Sequence, residues 1–415
     1  MHSDAREELR DREIVFAAGF LRAVANGLIG VVAGIYLADL GLNPAAMGVV
    51  LSAGIAGTAF GAAGVTFWGD RAGRRRWLIV LAVLTAAGGA VLAAASQVAL
   101  LGAAAFLGMM NSLGKDRAAA LALEQAILPS TGDDAGRTKV FAWYNVVQDI
   151  GHGIGAALAV LPWLLREYAG LGQVDSLRGA VVLYALLYAA AAALYLGLSR
   201  RAESPTAALR VRISPASRTI LAKMSLLFAL DSFAGGFLGS ALFAFFFHQQ
   251  FGVSEAVIGI LFVGARVMNA FSHLGAAWLA SRIGLVNTMV FTHTPSSLLL
   301  MTIPFMDSFA LAAAFFLLRE GLSEMDVPTR QSYLMAVVRP EERTFAGGVT
   351  NLARMGARAV SPMLAGGAMQ ALTLGTPLVA AAMMKILYDV LLYVSFRKLK
   401  APEERESAVR NSIKP

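Results

Sequence analysis

Acidic and basic side chains lie deep inside apolar stretches of this sequence. They are Arg22; Lys115, Asp116, Arg117 and Glu124; Asp149; Asp231; Arg266; Arg319, Glu320, Glu324, Asp326 and Arg330; and Arg354 and Arg358. Inside a membrane each would cost roughly 2.5–3.5 kcal/mol and would have to face protein or water. Two chemistries suit them. Carboxyls crowded in a dry site hold protons more tightly than in water. Glu320 and Glu324, four residues apart, can therefore exchange protons near neutral pH. Depth along the helix ranks Glu320 first as proton carrier, Glu324 second and Asp326 third, with Asp231 and Asp116 behind them. Asp326 has Arg330 one turn away, and a paired acid carries protons poorly. The second chemistry belongs to the arginines. A guanidinium in a partly dry cavity grips a carboxylate, phosphate or polarised carbonyl through two hydrogen bonds.

Residues three, four and seven apart share a helix face. On one segment Arg319, Ser323, Asp326 and Arg330 form a stripe. Asn145, Gln148 and His152 share a face on another, and Asn351, Arg354 and Arg358 share a face on a third. With Arg22, these are the expected cavity-lining residues. Each has a plainer reading. Asp326 and Arg330 can form a self-neutralising ladder, the neutral set can bond between helices, and Arg354 and Arg358 can balance nearby acids. Lys385 and Asp389, four apart, are expected to pair with each other. His248, His273 and His293 show no metal-ligand spacing, and core or interface roles are expected. Gly151-His-Gly-Ile-Gly155 has half a dinucleotide fingerprint but no strand before it. Close helix packing through small residues explains it better.

The elements that position these groups follow from composition. The chain has 415 residues, 57% hydrophobic and 15% charged, with mean hydropathy +0.63. A soluble protein carries about 25% charged residues, so the surrounding solvent is lipid. The net charge of +8 would suit nucleic acid, but the basic residues cluster in short loops at helix ends, as topology requires. No nucleic-acid partner is expected. The absence of cysteine excludes disulfides and thiol catalysis. No cofactor, metal or enzyme motif is expected. The first apolar run is too long for a signal peptide and reads as a retained span.

Stretches long enough to span, about 20 residues each, fall at 14–40, 46–68, 76–95, 98–129, 138–164, 177–198, 219–249, 255–280, 285–305, 309–338, 345–371 and 376–397. Basic residues alternate between the loops so that both termini are expected in the cytoplasm. A polar linker at 199–218 separates an N-terminal half, 1–198, from a C-terminal half, 219–397, and 398–415 forms a tail. The halves repeat, as transporter halves do. At an offset of 206, Glu124-Gln125 matches Arg330-Gln331, Arg137-Thr138 matches Arg343-Thr344, and Asn145 matches Asn351. At an offset of 211, Gly41 matches Gly252, Gly48 matches Gly259, and Gly73 matches Gly284. The repeat sets the polar faces of spans five and eleven in matching places.

Between spans two and three runs Thr66-Phe-Trp-Gly-Asp-Arg-Ala-Gly-Arg-Arg-Arg76. It resembles the signature loop of the major facilitator superfamily, G-x-x-x-D-R-x-G-R-R. Asp70, Arg71, Gly73, Arg74 and Arg75 match, while Thr66 stands where the family has glycine. Gly73 suits a left-handed turn, and Asp70 is expected to cap the next helix. Met325 to Arg343 is similar to a segment of bacterial, exporter-like members. The resemblance covers essentially the whole chain. It implies an all-α membrane protein of twelve helices, two six-helix bundles around a central cavity, working by alternating access. It also implies an inner gate, Asp70, Arg71, Gly73 and Arg74, with Glu124 as the acid that pairs with the loop arginine.

The function expected on these grounds is proton-coupled export of a small organic molecule across a bacterial inner membrane. The protein is expected to be a monomer, with the lipid bilayer, its substrate and protons as partners. Uptake or exchange of a small organic anion is the first alternative, favoured by the embedded arginines. A transporter-like receptor without flux is the second.

Overall fold

The computed structural model describes residues 2–114, 119–128, 134–199, 214–338 and 342–397. It is helical throughout these residues. Helix α1 (His2–Asp39) is followed by α2 (Pro44–Ala72) and α3 (Arg74–Ala94). Span four divides into α4 (Val98–Leu107) and α5 (Ala119–Ile127). Span five is α6 (Asp134–Ala157), a 3-10 turn and α7 (Leu161–Ala169), and α8 (Gln173–Tyr195) is span six. Span seven divides into α9 (Pro215–Gly236) and α10 (Ser240–Phe251), followed by α11 (Glu255–Ile283) and α12 (Leu285–Thr302). Span ten divides into α13 (Phe309–Ser323) and α14 (Asp326–Val337), and α15 (Arg343–Ala371) and α16 (Thr376–Phe396) complete the chain.

Among the described residues seven segments are both long and apolar enough to cross a membrane. The other expected spans are broken, as in four and ten, or carry polar side chains along their length, as in five, nine and eleven. The breaks have local causes. Met109 takes φ 50 after α4, and Gly235, Gly236 and Gly239 cluster where α9 gives way to α10. Glycine weakens a helix by about 1 kcal/mol relative to alanine.

The repeat extends to backbone conformation. Gly41 and Gly252 have φ 86 and 65, and Gly73 and Gly284 have φ 93 and 87. At both members of the second pair a single glycine joins two long helices. This corrects the expected loop: α2 runs through Asp70 to Ala72, and Gly73, with no side-chain cap, is the N-cap of α3. The backbone of Asp70 belongs to α2, so the N-cap position is Gly73 and not Asp70.

The chain clusters into two compact units. Unit 1 comprises 1–208, 238–263 and 359–373. Here α1 packs on α6 through glycine. A Cβ on Gly155 would sit 2.0 Å from the Val24 carbonyl oxygen, and one on Gly27 would sit 2.3 Å from that of His152. The glycine run is therefore a packing motif. Gly155→Ala is expected to destabilise the unit by about 1–3 kcal/mol through overpacking, read as an earlier loss of monodisperse protein on heating in detergent. Unit 2 comprises 209–237, 264–358 and 374–415. Its core joins Met224 and Phe228 of α9, Met289 of α12, Tyr333 of α14 and Tyr388 and Leu392 of α16. On α11, Phe271, Leu274 and Trp278 stay exposed, in keeping with a face turned to lipid.

Candidate functional site

Each unit holds a buried charge network. In unit 1 Arg22 of α1, 1% exposed, donates to Glu124 of α5, which is fully buried, at 2.8 Å. Arg22 also donates to the Tyr195 hydroxyl. The Glu124 carboxylate accepts from Tyr144 and Tyr195 as well, and Gln148 donates to the Tyr144 hydroxyl at 2.8 Å. Among the described residues, the network thus joins one guanidinium, one carboxylate and two tyrosine hydroxyls.

In unit 2 the signs are exchanged. Asp231 of α9 meets Arg330 of α14 at 2.9 Å, where the first half has an arginine on span one and a glutamate on span four. Asp326 also accepts from Arg330 at 2.9 Å, as the ladder reading expects. Lys385 of α16 donates to Asp231 at 2.8 Å and to His293 Nε2 of α12 at 3.2 Å. His293 Nδ1 lies 2.8 Å from Asp389, which also accepts from the Thr294 hydroxyl at 2.9 Å. An ammonium has no lone pair to offer, so Nε2 accepts and Nδ1 carries the proton given to Asp389. Three carboxylates thus face two permanent cations. His293 is the one titratable imidazole bonded into this network among the described residues.

This corrects the expected pairing of Lys385 with Asp389. Lys385 bonds Asp231, and Asp389 is held by His293 and Thr294. Lysine and aspartate four apart can pair along a helix, but here acceptors on α9 and α12 take precedence over that weak local pair. Glu320 bonds the Arg319 guanidinium beside it, so its charge is already matched. Glu324 lies 4.0 Å from His273. Asp116 lies outside the described residues.

Glu124 was expected beside Arg74 at the inner gate. Its carboxylate is engaged by Arg22, Tyr144 and Tyr195, and Arg74 donates to the Ala126 carbonyl at 3.0 Å. Arg74 and Glu124 thus both reach α5, one through the Ala126 backbone and the other as a side chain of that helix. The side chains of Asp70 and Arg71 lie outside the described residues. On the repeated faces, Asn145 and Asn351 are both exposed, Gln148 and His152 are buried, and Arg354 and Arg358 are half-buried. Arg354 donates to Ser232 at 3.0 Å.

Within unit 1 several contacts that sequence reasoning missed join α2, α7, α8, α11 and α15. Arg166 of α7 bonds Glu255, the first residue of α11 and 1% exposed, and donates to Ser176 at 3.0 Å. Ser52 accepts from the Met363 amide at 2.8 Å. A Cβ on Gly48 would lie 2.4 Å from the Pro362 carbonyl oxygen, and one on Gly366 would lie 2.1 Å from that of Pro44. If these contacts close unit 1 to water, Glu255→Gln is expected to loosen them. A single cysteine at Ala159, fully buried, should then react with maleimide about tenfold faster, equivalent to about 1.4 kcal/mol in the opening equilibrium. Unchanged reactivity would deny Arg166–Glu255 a sealing role.

Comparison with known proteins agrees with this architecture. The Major Facilitator Superfamily family model matches residues 15–362. An uncharacterised membrane protein of Saccharomyces cerevisiae is 24% identical over 391 residues, covering 86% of this chain and 87% of that protein. Among solved structures, a nucleoside transporter, NupG, aligns with TM-score 0.75 at 15% identity, over 93% of this chain and 99% of that one. A bacterial homologue of the human lysosomal transporter Spinster aligns with TM-score 0.74 at 15% identity, covering 93% and 96%. A D-xylose–proton symporter gives 0.71 at 14%, covering 93% and 97%. At these identities the structures show a shared fold. The helices, the repeat and the match across most of the sequence together establish that this chain is a multi-pass membrane transporter, not an enzyme, and belongs to the major facilitator superfamily.

Proposed function

We propose that this transporter couples export of a small organic molecule to proton entry, and that the coupling centre is the unit 2 network around His293. The observation that supports this most is the charge count. Asp231, Asp326 and Asp389 exceed Arg330 and Lys385 by one negative charge in a buried site, where an unmatched charge is costly. One proton on His293 restores neutrality. It also turns Nε2 into a donor, which cannot coexist with the Lys385 ammonium 3.2 Å away. Lys385 must then withdraw toward Asp231, so protonation changes how α12 and α16 meet. Glu320, already bonded by Arg319, passes the role to this network.

In this reading the sequence halves 1–198 and 219–397 rock about the site, with both termini and the signature loop in the cytoplasm. An anion carrier is the second reading. It is favoured by Arg354 and Arg358, which present guanidinium groups from α15 beside Ser232 and Gly235 of α9. The test is flux into proteoliposomes of purified protein with a panel of labelled organic cations, anions and neutral compounds. Accumulation of at least one compound only when the lumen is acidic, abolished by a protonophore, is the expected result. Equilibration that ignores the gradient would overturn proton coupling, and selection of anions alone would favour the second reading.

A further inference from the structure

One helical turn beyond His293, α12 carries a buried hydroxyl that the charge network leaves unused. Ser297 is 1% exposed, and among the described residues its Oγ has no hydrogen-bond partner. Thr288 and Thr292 on the same helix each donate to the carbonyl four residues back. Ser297 makes no such bond.

The direction of that hydroxyl follows from its neighbours. Side chains step about 100° per residue around a helix. His293 and Thr294 both bond Asp389, so α16 lies within the arc between them. Ser297, four residues on, returns to about 40° from His293, inside that arc. The two helices run antiparallel. The Phe291 ring meets that of Tyr393 at 6.1 Å, and a Cβ on Gly375 would lie 2.4 Å from the Pro304 Cβ. This register sets Ser297 level with Lys385, one turn from Asp389 toward Gly375. Nε2, which meets Lys385, is therefore the ring nitrogen nearer to Ser297. Helical side chains lean toward the N-terminus, which brings the Ser297 hydroxyl back toward the turn that holds His293.

A doubly protonated His293 needs an acceptor for its Nε2–H, because a buried donor left unmatched is costly. The charged and titratable groups around the ring are already engaged. On α16, Asp389 holds Nδ1 with one oxygen and Thr294 with the other. On α9, Asp231 Oδ2 holds Arg330 of α14, which also binds Asp326. Asp231 Oδ1 lies 3.9 Å from Nε2 and holds Lys385. The Tyr388 ring meets the imidazole edge-on at 5.9 Å, with its hydroxyl beside Arg330. On α13, Arg319 offers its carbonyl to Ser296 and its guanidinium to Glu320. Ser297 Oγ is the acceptor on this side that no donor occupies.

We propose that the Ser297 hydroxyl accepts a hydrogen bond from Nε2–H of doubly protonated His293 once Lys385 has withdrawn. Ser297 is a positioning residue. It carries no proton itself and sets how readily the ring takes one. The proposal rests on the coupling role of His293 and names the group that makes its protonated form tolerable in a buried site.

The test is a titration of the full chain in detergent, with carbon-13 at histidine Cε1 read by NMR. His293→Gln identifies the His293 signal among the five histidines. In Ser297→Ala the midpoint of that signal is expected about one pH unit lower, a roughly tenfold loss of proton affinity. Ser297→Thr, which keeps a hydroxyl, should titrate as the parent does. So should Ser296→Ala, which removes the hydroxyl turned to α13. A midpoint unmoved in Ser297→Ala would overturn the proposal. An equal shift in Ser296→Ala, no recovery in Ser297→Thr, or a His293 signal that never changes form would do the same. A midpoint that moves as expected in a protein whose flux ignores the pH gradient would keep Ser297 and remove the coupling role. Gradient-driven flux with an unmoved midpoint would remove Ser297 and leave the coupling role standing.

Discussion

Asp389→Asn is expected to abolish pH-gradient-driven accumulation while leaving exchange of substrate across the membrane intact. Asp389 is fully buried, and its carboxylate accepts from His293 and Thr294. An asparagine there can still accept from Thr294 and from the imidazole N–H, so the local shape survives. What changes is the count. Two carboxylates, Asp231 and Asp326, would face two cations, Arg330 and Lys385, and the network would be neutral without a proton. The carrier should then cycle at any pH, with no thermodynamic link between substrate and proton. Loss of accumulation by tenfold or more, about 1.4 kcal/mol of gradient no longer harvested, is the expected size. Glu320→Gln, by contrast, should keep most of its accumulation, because Arg319 already matches that acid. If the two variants exchange their phenotypes, the coupling centre lies on span ten instead.

The second large effect concerns stability. Glu124→Gln leaves the Arg22 guanidinium buried at 1% exposure without its counter-ion. Removing one partner of a buried pair typically costs about 3–5 kcal/mol. Tyr144 and Tyr195 also lose an ionised acceptor. The variant should unfold at a clearly lower temperature in detergent, read by size-exclusion chromatography after heating. The double variant Arg22→Gln with Glu124→Gln removes the stranded charge and should recover much of the loss, whereas two independent sites would add their losses. A single variant as stable as the parent would mean that the pair contributes little and that Glu124 is free to serve elsewhere.

Much of this architecture could be read in the residues. The matched glycines at 41 and 252 and at 73 and 284 adopt positive φ in both halves, so the offset of 211 reports a structural repeat. Matching Glu124 with Arg330 at 206 already held the charge exchange, but without Arg22 and Asp231 in contact it read as two unrelated polar sites. Glycine spacing near Gly155 also read correctly, because close packing needs only the absence of a side chain. The errors share a physical origin. Asp70 as a cap and Lys385 with Asp389 as a pair were local inferences: the first fails because α2 runs on to Ala72, the second because acceptors on α9 and α12 take Lys385. The ranking of acids by depth along one helix took no account of contacts such as Arg319 with Glu320. Histidine 293 had no periodic partner in sequence. Its neighbours come from α9 and α16, and only the fold brings them together.

The most direct test of proton coupling through this network is lumenal pH. Proteoliposomes with an acidic lumen and an entrapped pH-sensitive dye would receive the compound selected by the flux panel. In the parent protein its entry should drive protons out and raise lumenal pH. In His293→Gln, which keeps a side chain able to bond Asp389 but cannot take up a proton, substrate exchange should continue with no change in lumenal pH. A His293→Gln protein that alkalinises the lumen as the parent does would contradict the account.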